Sequence, residues 1–582
     1  MKNLEIVKIL NNIADILELQ EVQFKPRAYR NAARGVEGLT EDIADVYKRG
    51  ELENIPGVGK HIAVKIAEYL EKGKSKYYEQ LKKKVKIDIE SLHQIPTLGP
   101  KKIKFLYEKL KIKNIKDLER AIKKGKLKKL KGFGEETEKN LSEGVKLVKS
   151  RPKRFLYYQA LPIVNEIKEY FNKFEIVKRI EVAGSFKRGK ETIGDLDFLV
   201  ISNKPNEVIK LFTQLPDVKK IISKGTTRSS VRLSNGLQVD LRVVKEKEFG
   251  SALMYFIGNK QHNIELRKIA LSKGYTLSEY GLFKLNGKKV GVKEKEKKNK
   301  WVAGRTEEEI YKKLGMDYIE PELRENTGEI KTAQGEKLPQ LVTNKNINGV
   351  FHNHTKWSDG NNSMLEMAQK AEQMGFKFIS FNDHFGDVTI TNPLNEKRLE
   401  GYLKETKRVR KKVKIKVFSG LEIDILKDGT LPLSAEKLKK IDVVVAAIHL
   451  ATRMPEEQMT KRVCDALENY PANILAHPTD RLINSREPIK INLEKVFAVA
   501  KKNNVYLEIN SSPERLDLNG ENIKAAKKMG CKFVISTDGH DLQHLENYYL
   551  GIIQARRGGL EKKDILNCYT SRKINKILIK IN

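Results

Sequence analysis

Thiols and long apolar runs are both scarce in this chain. Its 582 residues hold three cysteines, Cys464, Cys531 and Cys568, spread apart and odd in number. No disulfide framework and no Cys-x-x-Cys metal site follows from them, which suits a reducing, cytoplasmic setting. No run of about 18 apolar residues occurs, so no membrane span is expected. The opening MKNLEIVKILNNIADILELQ reads as an amphipathic helix and lacks the continuous apolar core and cleavage site of a secretion signal. Low-complexity tracts and coiled-coil heptads are missing too, leaving a monomer as the default expectation. Acidic residues fall short: 76 Asp+Glu face 112 Lys+Arg, a formal net charge of +36. Such an excess calls for a polyanionic partner, nucleic acid ahead of an anionic membrane surface. The chain is too long for one core, and three to five domains are expected.

The positive charge is concentrated. Residues 101–131 carry fourteen Lys/Arg and three acids, Glu108, Asp117 and Glu119. Apolar residues at helical spacing interleave with the basic ones, as on a folded surface that binds a phosphate backbone. Up to about residue 150 the chain reads as helices joined by three similar turns: Ile55-Pro56-Gly57-Val58-Gly59-Lys60, Ile95-Pro96-Thr97-Leu98-Gly99-Pro100-Lys101 and Leu130-Lys131-Gly132-Phe133-Gly134. Each is an apolar residue, a Gly turn and a helix start. Free backbone N–H groups at such a start can seat one phosphate. A single copy would be plain helix packing. Three beside a basic excess favour phosphate binding and resemble helix-hairpin-helix elements.

From about 155 to 318, short β-branched runs alternate with helical stretches, an α/β pattern. Residues 286–300 read as a solvated loop, and 319–346 as an interdomain linker. Asp195 and Asp197 lie two apart on an expected strand, so both side chains leave one face. Carboxylates that close repel one another unless a divalent cation joins them. Asp240, on another expected strand, can complete the site by pairing. Three carboxylates can hold two Mg²⁺, one activating a 3′-hydroxyl and one gripping a triphosphate. The Gly184-Ser185 turn offers N–H groups and a hydroxyl to phosphate, and Arg188 adds charge. A bare Asp-x-Asp is usually an exposed strand face; the Gly-Ser turn and Arg188 beside it argue for chemistry here.

From 347 onward, seven strand-then-helix units follow, as in a parallel barrel. Six histidines sit at or just after expected strands: His352, His354, His384, His449, His477 and His540. Strand C-termini share one face of such a barrel, so these imidazoles converge there, with Asp359, Glu422 and Asp538 in similar positions. One such histidine would be a satisfied core residue. Six are hard to explain by packing. Nine N/O ligands without a thiolate suit two or three Mn²⁺, Zn²⁺ or Fe ions. His544 and Asp383 are expected nearby without a ligand role.

Residues 1 to about 320 resemble the family X DNA polymerases, on the run Gly184-Ser185-Phe186-Lys187-Arg188 through Asp195-Leu196-Asp197, on Val239-Asp240 and on Tyr255-Phe256-Ile257-Gly258. The resemblance implies metal ligation by Asp195, Asp197 and Asp240, with Asp240 helping to activate the primer hydroxyl. Ser185, Arg188 and Gly194 would line the triphosphate. Tyr255, Phe256 and Gly258 would form the turn that crowds a ribose 2′-hydroxyl, and Asn263 and Arg267 would face the minor groove of the nascent pair. Phe24-Lys25-Pro26-Arg27-Ala28-Tyr29-Arg30 and the first Gly turn resemble the family's lyase domain, with Lys65 at its Schiff-base position. His61 stands where that domain has a phosphate-gripping lysine. Gly57, Gly59, Lys60, Gly99, Lys101, Gly132 and Gly134 would meet DNA through the hairpins.

Residues 347–575 resemble the PHP (polymerase and histidinol phosphatase) domain. The resemblance rests on His352-x-His354, Ser358-Asp359-Gly360, Asp383-His384, Gly420-Leu421-Glu422, Ile448-His449, Ala476-His477-Pro478 and Asp538-Gly539-His540. Val350-Phe351 stands where many members have Asp-Leu. The expected organisation is a lyase-like hairpin domain over 1–85, a fingers-type hairpin domain over 86–150, an α/β nucleotidyltransferase palm over 151–245 and a thumb-like subdomain for the nascent base pair over 246–318. A linker over 319–346 leads to a (β/α)7-like PHP phosphoesterase over 347–582. The implied activity is gap-filling nucleotidyl transfer with two Mg²⁺ or Mn²⁺. The PHP domain adds 3′–5′ exonuclease, 3′-end processing or abasic-site cleavage at two or three ions such as Mn²⁺ or Zn²⁺. Gapped or primed duplex DNA and deoxynucleoside triphosphates are the expected partners, and the nucleoid the expected location. A scaffold with vestigial sites, a small-molecule phosphatase and a template-independent transferase are the competing readings.

Overall fold

A computed structural model describes residues 2–581 except 21, 38–42, 86, 94, 96–97, 129, 131–132, 135–136, 139, 143, 146–153, 286–299, 336 and 387–390. The solvated loop expected over 286–300 therefore lies outside the described residues, apart from Lys300. The chain forms two compact units, one chiefly Met1–Pro152, the other Lys153–Ile483 with Pro488–Asn582. Among the described residues no helix is long and apolar enough to cross a membrane.

The first unit is helical. Helix Lys2–Leu19 packs on Lys25–Glu37 and also on Pro100–Leu110. One apolar core runs through it, from Ile13 and Val36 to Leu92, Leu98, Ile103, Leu106 and Leu118. The boundary expected between 85 and 86 is thus no break in packing: the two hairpin modules share one interior.

In the second unit, a five-stranded sheet runs in the spatial order Arg179–Val182, Asp195–Ile201, Gln238–Val244, Arg228–Leu233, Val218–Lys224. The central pair, Asp195–Ile201 with Gln238–Val244, is parallel. Leu196, Phe198 and Val200 bury one face of the first of these strands in a core with Val164 and Phe212. Alternation sends Leu199 and Ile201 to the other face, under helix Phe249–Ile257, with Asp195 and Asp197 at its open end.

A three-stranded antiparallel sheet (Tyr275–Ser278, Gly281–Lys284, Lys300–Ala303) and helices Lys260–Ser272 and Glu307–Lys313 follow. The segment 319–346, expected as a linker, is largely packed. Ile319, Ile330 and Ala333 enter the same core as Leu266, Ile310 and Leu314. Arg324 is fully buried, paired with Glu307, and its Nε donates to Ile319 O at 2.8 Å. A buried guanidinium is tolerated only when so paired. Composition rich in Glu, Asn and Lys concealed this, because Arg324 is matched by Glu307 and Glu329 lies against His262 in the interior.

The last domain is a closed barrel of seven parallel strands: Gly349–Asn353, Phe378–Phe385, Lys416–Asp424, Val443–Ala447, Ile474–Leu475, Tyr506–Asn510 and Phe533–Gly539. Helices Met364–Gln373, Glu456–Asn469 and Leu493–Lys502 bury Met367, Val463 and Val496 against the strands. A second cluster, Phe351, Phe378, Phe418, Val445 and Val534, is closed by Ile574 and Leu578 of the final helix. One end is thereby plugged, and the strand C-termini form the other.

Candidate active sites

The palm carboxylates meet by strand register. Asp197 is the direct partner of Asp240 on the parallel neighbour, and Asp195 lies two residues back on the same face. Burial first, then repulsion from Asp195 and Asp240, pushes Asp197 up to about 7. Burial and Asp240 also raise Asp195. A triad this self-repelling is what a divalent cation relieves, and the donor set fits one. Ser230 donates to Asp240 Oδ1, and Gln238 Nε2 donates to Oδ2 at 3.0 Å. Neither residue is marked by the sequence pattern: Ser230 meets Asp240 through cross-strand register, and Gln238 lies two residues before it on the same face of its own strand.

Gly184 stands at φ +63, and a Cβ there would collide with Asp197 Oδ2. The glycine lets the turn approach the carboxylate. The turn is a single helical stretch, Gly184–Lys187, anchored by Ala183 N donating to Asp197 O at 2.7 Å. Ser185 is half-buried on it. Arg188 donates from Nε to Glu325 at 2.9 Å and from Nη1 to Ile257 O at 2.5 Å. Gly194 lies against Arg154, whose Nε donates to Thr192 Oγ1 at 2.9 Å and whose charge favours ionised Asp195.

Tyr255 and Phe256 end helix Phe249–Ile257, with Tyr255 38% exposed. Asn263 donates to Tyr255 O at 2.6 Å and Gly258 O at 3.1 Å, so its amide braces that turn. Gly258 has no room for a Cβ beside Asn263, and Arg267 is exposed on the following helix.

At the barrel's open end all nine expected ligands converge. Their atoms form three overlapping groups: His354, Asp359, His384 and His540; His352, His354 and Asp538; His384, Glu422 and His449. His477 Nε2 lies 3.1 Å from Glu422 Oε1. His352 Nε2, both ring nitrogens of His354 and His477 Nδ1 are buried without a hydrogen-bond partner among the described residues. Buried polar atoms left so are costly, and the three groups have the donors that could hold metal ions. His352, His477 and Asp538 sit at φ +58, +23 and +48, backbone strain of the kind that gathers at functional sites.

Two acids behind the ligands were not marked by the sequence pattern. Glu508 is fully buried on the sixth strand. It lies 2.6 Å from His352 Nδ1 and accepts from His477 N at 2.6 Å. Asp424 lies 2.9 Å from His449 Nδ1. Each fixes an imidazole so that Nε2 faces inward. Asp383 accepts from Thr355 and Ser358 and shapes the loop before Asp359. His544 takes no part in the ligand groups; its Nδ1 accepts from His540 N at 3.2 Å.

The three hairpin turns repeat one bonding pattern. Val58 N, Leu98 N and Phe133 N donate to Ile55 O, Ile95 O and Leu130 O at 2.9, 3.1 and 3.0 Å. Gly59 O, Gly99 O and Gly134 O each accept from the residue four ahead at 3.0 Å. Val58, Leu98 and Phe133 are buried anchors. A Cβ on Gly59, Gly99 or Gly134 would meet nothing within 4 Å, so packing does not demand these glycines. Their open backbone suits close approach of a phosphate. Gly57, at φ +79 against Asn31, is required by the turn itself. Gly132 and Lys131 lie outside the described residues, as does the side chain of Lys101. Lys60 is exposed at its helix start.

Models of four families match the chain: helix-hairpin-helix domain over 1–75, SAM-like helix-hairpin-helix tandem over 89–146, DNA polymerase beta thumb over 252–325 and PHP domain over 351–512. Over 582 residues, 99% of both chains, the sequence is 33% identical to DNA polymerase/3′-5′ exonuclease PolX of Bacillus subtilis strain 168. The chain belongs to the PolX family. Other relatives share single portions. DNA polymerase lambda of Rattus norvegicus is 25% identical over 346 residues, 56% of each chain. A probable phosphatase of Thermoanaerobacter sp. strain X514 is 27% identical over 229 residues, 37% of this chain and 88% of its own. PolX membership thus joins a polymerase portion and a PHP portion along one full-length match.

Proposed function

We propose that the chain fills short gaps in duplex DNA at the palm and processes 3′ ends at the PHP barrel. The pairing of Asp197 with Asp240 across parallel strands, with the Gly184 turn against Asp197, carries this reading. Bound divalent ions (Mg²⁺ or Mn²⁺ at the palm, two or three Mn²⁺ or Zn²⁺ at the barrel) would supply Lewis acidity to a hydroxyl or water and neutralise phosphate charge. Asp195 and Asp197 serve as ligands. Asp240, whose oxygens Ser230 and Gln238 hold, completes the set and orients the primer hydroxyl. Ser185, Gly194 and Arg188 receive the triphosphate. The turn at Tyr255, Phe256 and Gly258 meets the sugar, while Asn263 and Arg267 follow along the nascent pair. The hairpin glycines and Lys60 hold the flanking backbone.

At the barrel, His352, His354, Asp359, His384, Glu422, His449, His477, Asp538 and His540 form the hydrolytic site, with Glu508 and Asp424 setting imidazole orientation. A nucleoid location follows from the DNA substrate. On single-nucleotide-gapped DNA, a labelled primer should gain one templated nucleotide when deoxynucleotides are present and shorten when they are withheld. Neither change with Mg²⁺ or Mn²⁺ would leave a DNA-binding scaffold.

A second reading concerns Lys65. Its Nζ donates to His61 O at 2.8 Å and lies 4.8 Å from the centre of the Tyr77 ring. Burial, then the nearby Lys25, lowers its pKa. A lowered pKa leaves more of the amine unprotonated, the form that attacks an abasic-site aldehyde. Borohydride should trap a covalent adduct with abasic DNA that Lys65→Ala lacks. An equal yield from the variant would exclude this lysine.

A further inference from the structure

The turn that follows the Gly184 stretch is held from outside the palm. Its backbone at Gly189 takes φ +65, and the space for a Cβ is filled by Ile553 of the PHP domain. Gln554 Nε2 donates to Gly189 O at 3.3 Å, and Arg557 Nη1 donates to Arg188 O at 2.7 Å. All three residues lie on helix Tyr548–Arg557, which follows the last barrel strand. Arg481, between the fifth and sixth strands, grips Glu191 with two bonds at 3.0 and 2.6 Å. The segment from Arg188 to Glu191 is therefore clamped at both ends by the barrel domain.

The charges in this clamp do not balance. Glu325 Oε1 lies 2.9 Å from Arg188 Nε, 3.2 Å from Lys190 Nζ and 3.4 Å from Arg557 Nη1. Its other oxygen accepts from Asn259 at 3.1 Å. Burial opposes ionisation of Glu325, but Arg188, Lys190 and Arg557 more than offset it, holding the carboxyl down at about 2. One carboxylate against three cations leaves an excess of positive charge where the turn meets the carboxylate triad. Arg188 uses Nε and Nη1 within this cluster, and its charge still reaches Asp197.

We infer that Arg557 and Glu325 are positioning residues for the incoming nucleotide, so that the PHP domain forms a wall of the polymerase site. Arg557 fixes the Arg188 backbone, and Glu325 fixes the Arg188 and Lys190 side chains. The turn then presents a preformed cationic surface to a triphosphate, at no ordering cost when the nucleotide binds. The inference rests on the nucleotide-binding role proposed above for Arg188.

The test uses full-length protein on gapped DNA, measuring KM for deoxynucleotide, kcat, and primer shortening without nucleotides. Arg188→Ala should raise KM by roughly tenfold or more. Arg557→Ala and Glu325→Gln should each raise KM by about threefold to tenfold, with kcat within about twofold and shortening unchanged. Arg557→Lys should recover most of the loss. The effects of Arg188→Ala and Arg557→Ala should combine to less than their product, since both act through one guanidinium. An unchanged KM in Arg188→Ala would remove the premise itself. A raised KM in Arg188→Ala with parental values in Arg557→Ala and Glu325→Gln would overturn the positioning role alone. A parallel fall of kcat and shortening in Arg557→Ala would mark a structural residue and equally overturn it.

Discussion

Asp197→Asn is expected to lower nucleotide addition by on the order of a thousandfold or more while the same sample still shortens a primer. The carboxylate is the most strained member of the palm triad. Burial and its neighbours Asp195 and Asp240 raise it to about 7. Asparagine keeps the shape but removes a charge that only a cation tolerates. The folded-state pKa lies above the usual aspartate value, so ionised Asp197 opposes folding at pH values above that range. The metal-free variant should therefore melt at or above the temperature of the parent protein. Primer extension, shortening and a thermal melt in chelator check all three points. Retained extension would remove the triad from the chemistry, and a lost nuclease would show that the two sites are not separate.

The opposite separation is expected at the barrel. His352→Ala should cut primer shortening by on the order of a hundredfold to a thousandfold and leave templated addition near its parental rate. His352 is fully buried, with Nδ1 against Glu508 and Nε2 3.3 Å from Glu422. Alanine also opens a hole in the barrel, so folding requires a control. Glu422→Gln supplies it, because it preserves volume and removes only the carboxylate that faces His352, His384, His449 and His477. Both variants should lose shortening and bind fewer equivalents of Mn²⁺ or Zn²⁺. Normal shortening by either would place hydrolysis elsewhere.

The chemistry was more legible in the sequence than its support. Asp195 and Asp197 reveal a shared face because strands alternate, and histidines at strand ends reveal a cluster because a parallel barrel gathers those ends. Glu508 gave no such signal: it is one acidic residue in a strand, joined to His352 across 156 positions of sequence. Ser230 reaches Asp240 through a register that no single strand encodes. Polar composition over 319–346 spoke for a tether, but Arg324 and Glu307 neutralise each other inside a core. The hairpin repeats located three turns correctly in kind, yet repeat spacing says nothing of the interior they share.

The packing of 319–346 and the grip on the Arg188–Glu191 turn bear on how a damaged end is handled. Lys524 Nζ donates to Thr327 O at 2.7 Å and Arg556 Nε to Glu322 at 2.7 Å, tying the thumb's tail to the barrel. Palm and barrel thus belong to one compact unit. A primer that needs both trimming and extension would pass between two sites on that one body, and the order of repair would follow how fast each lets it go.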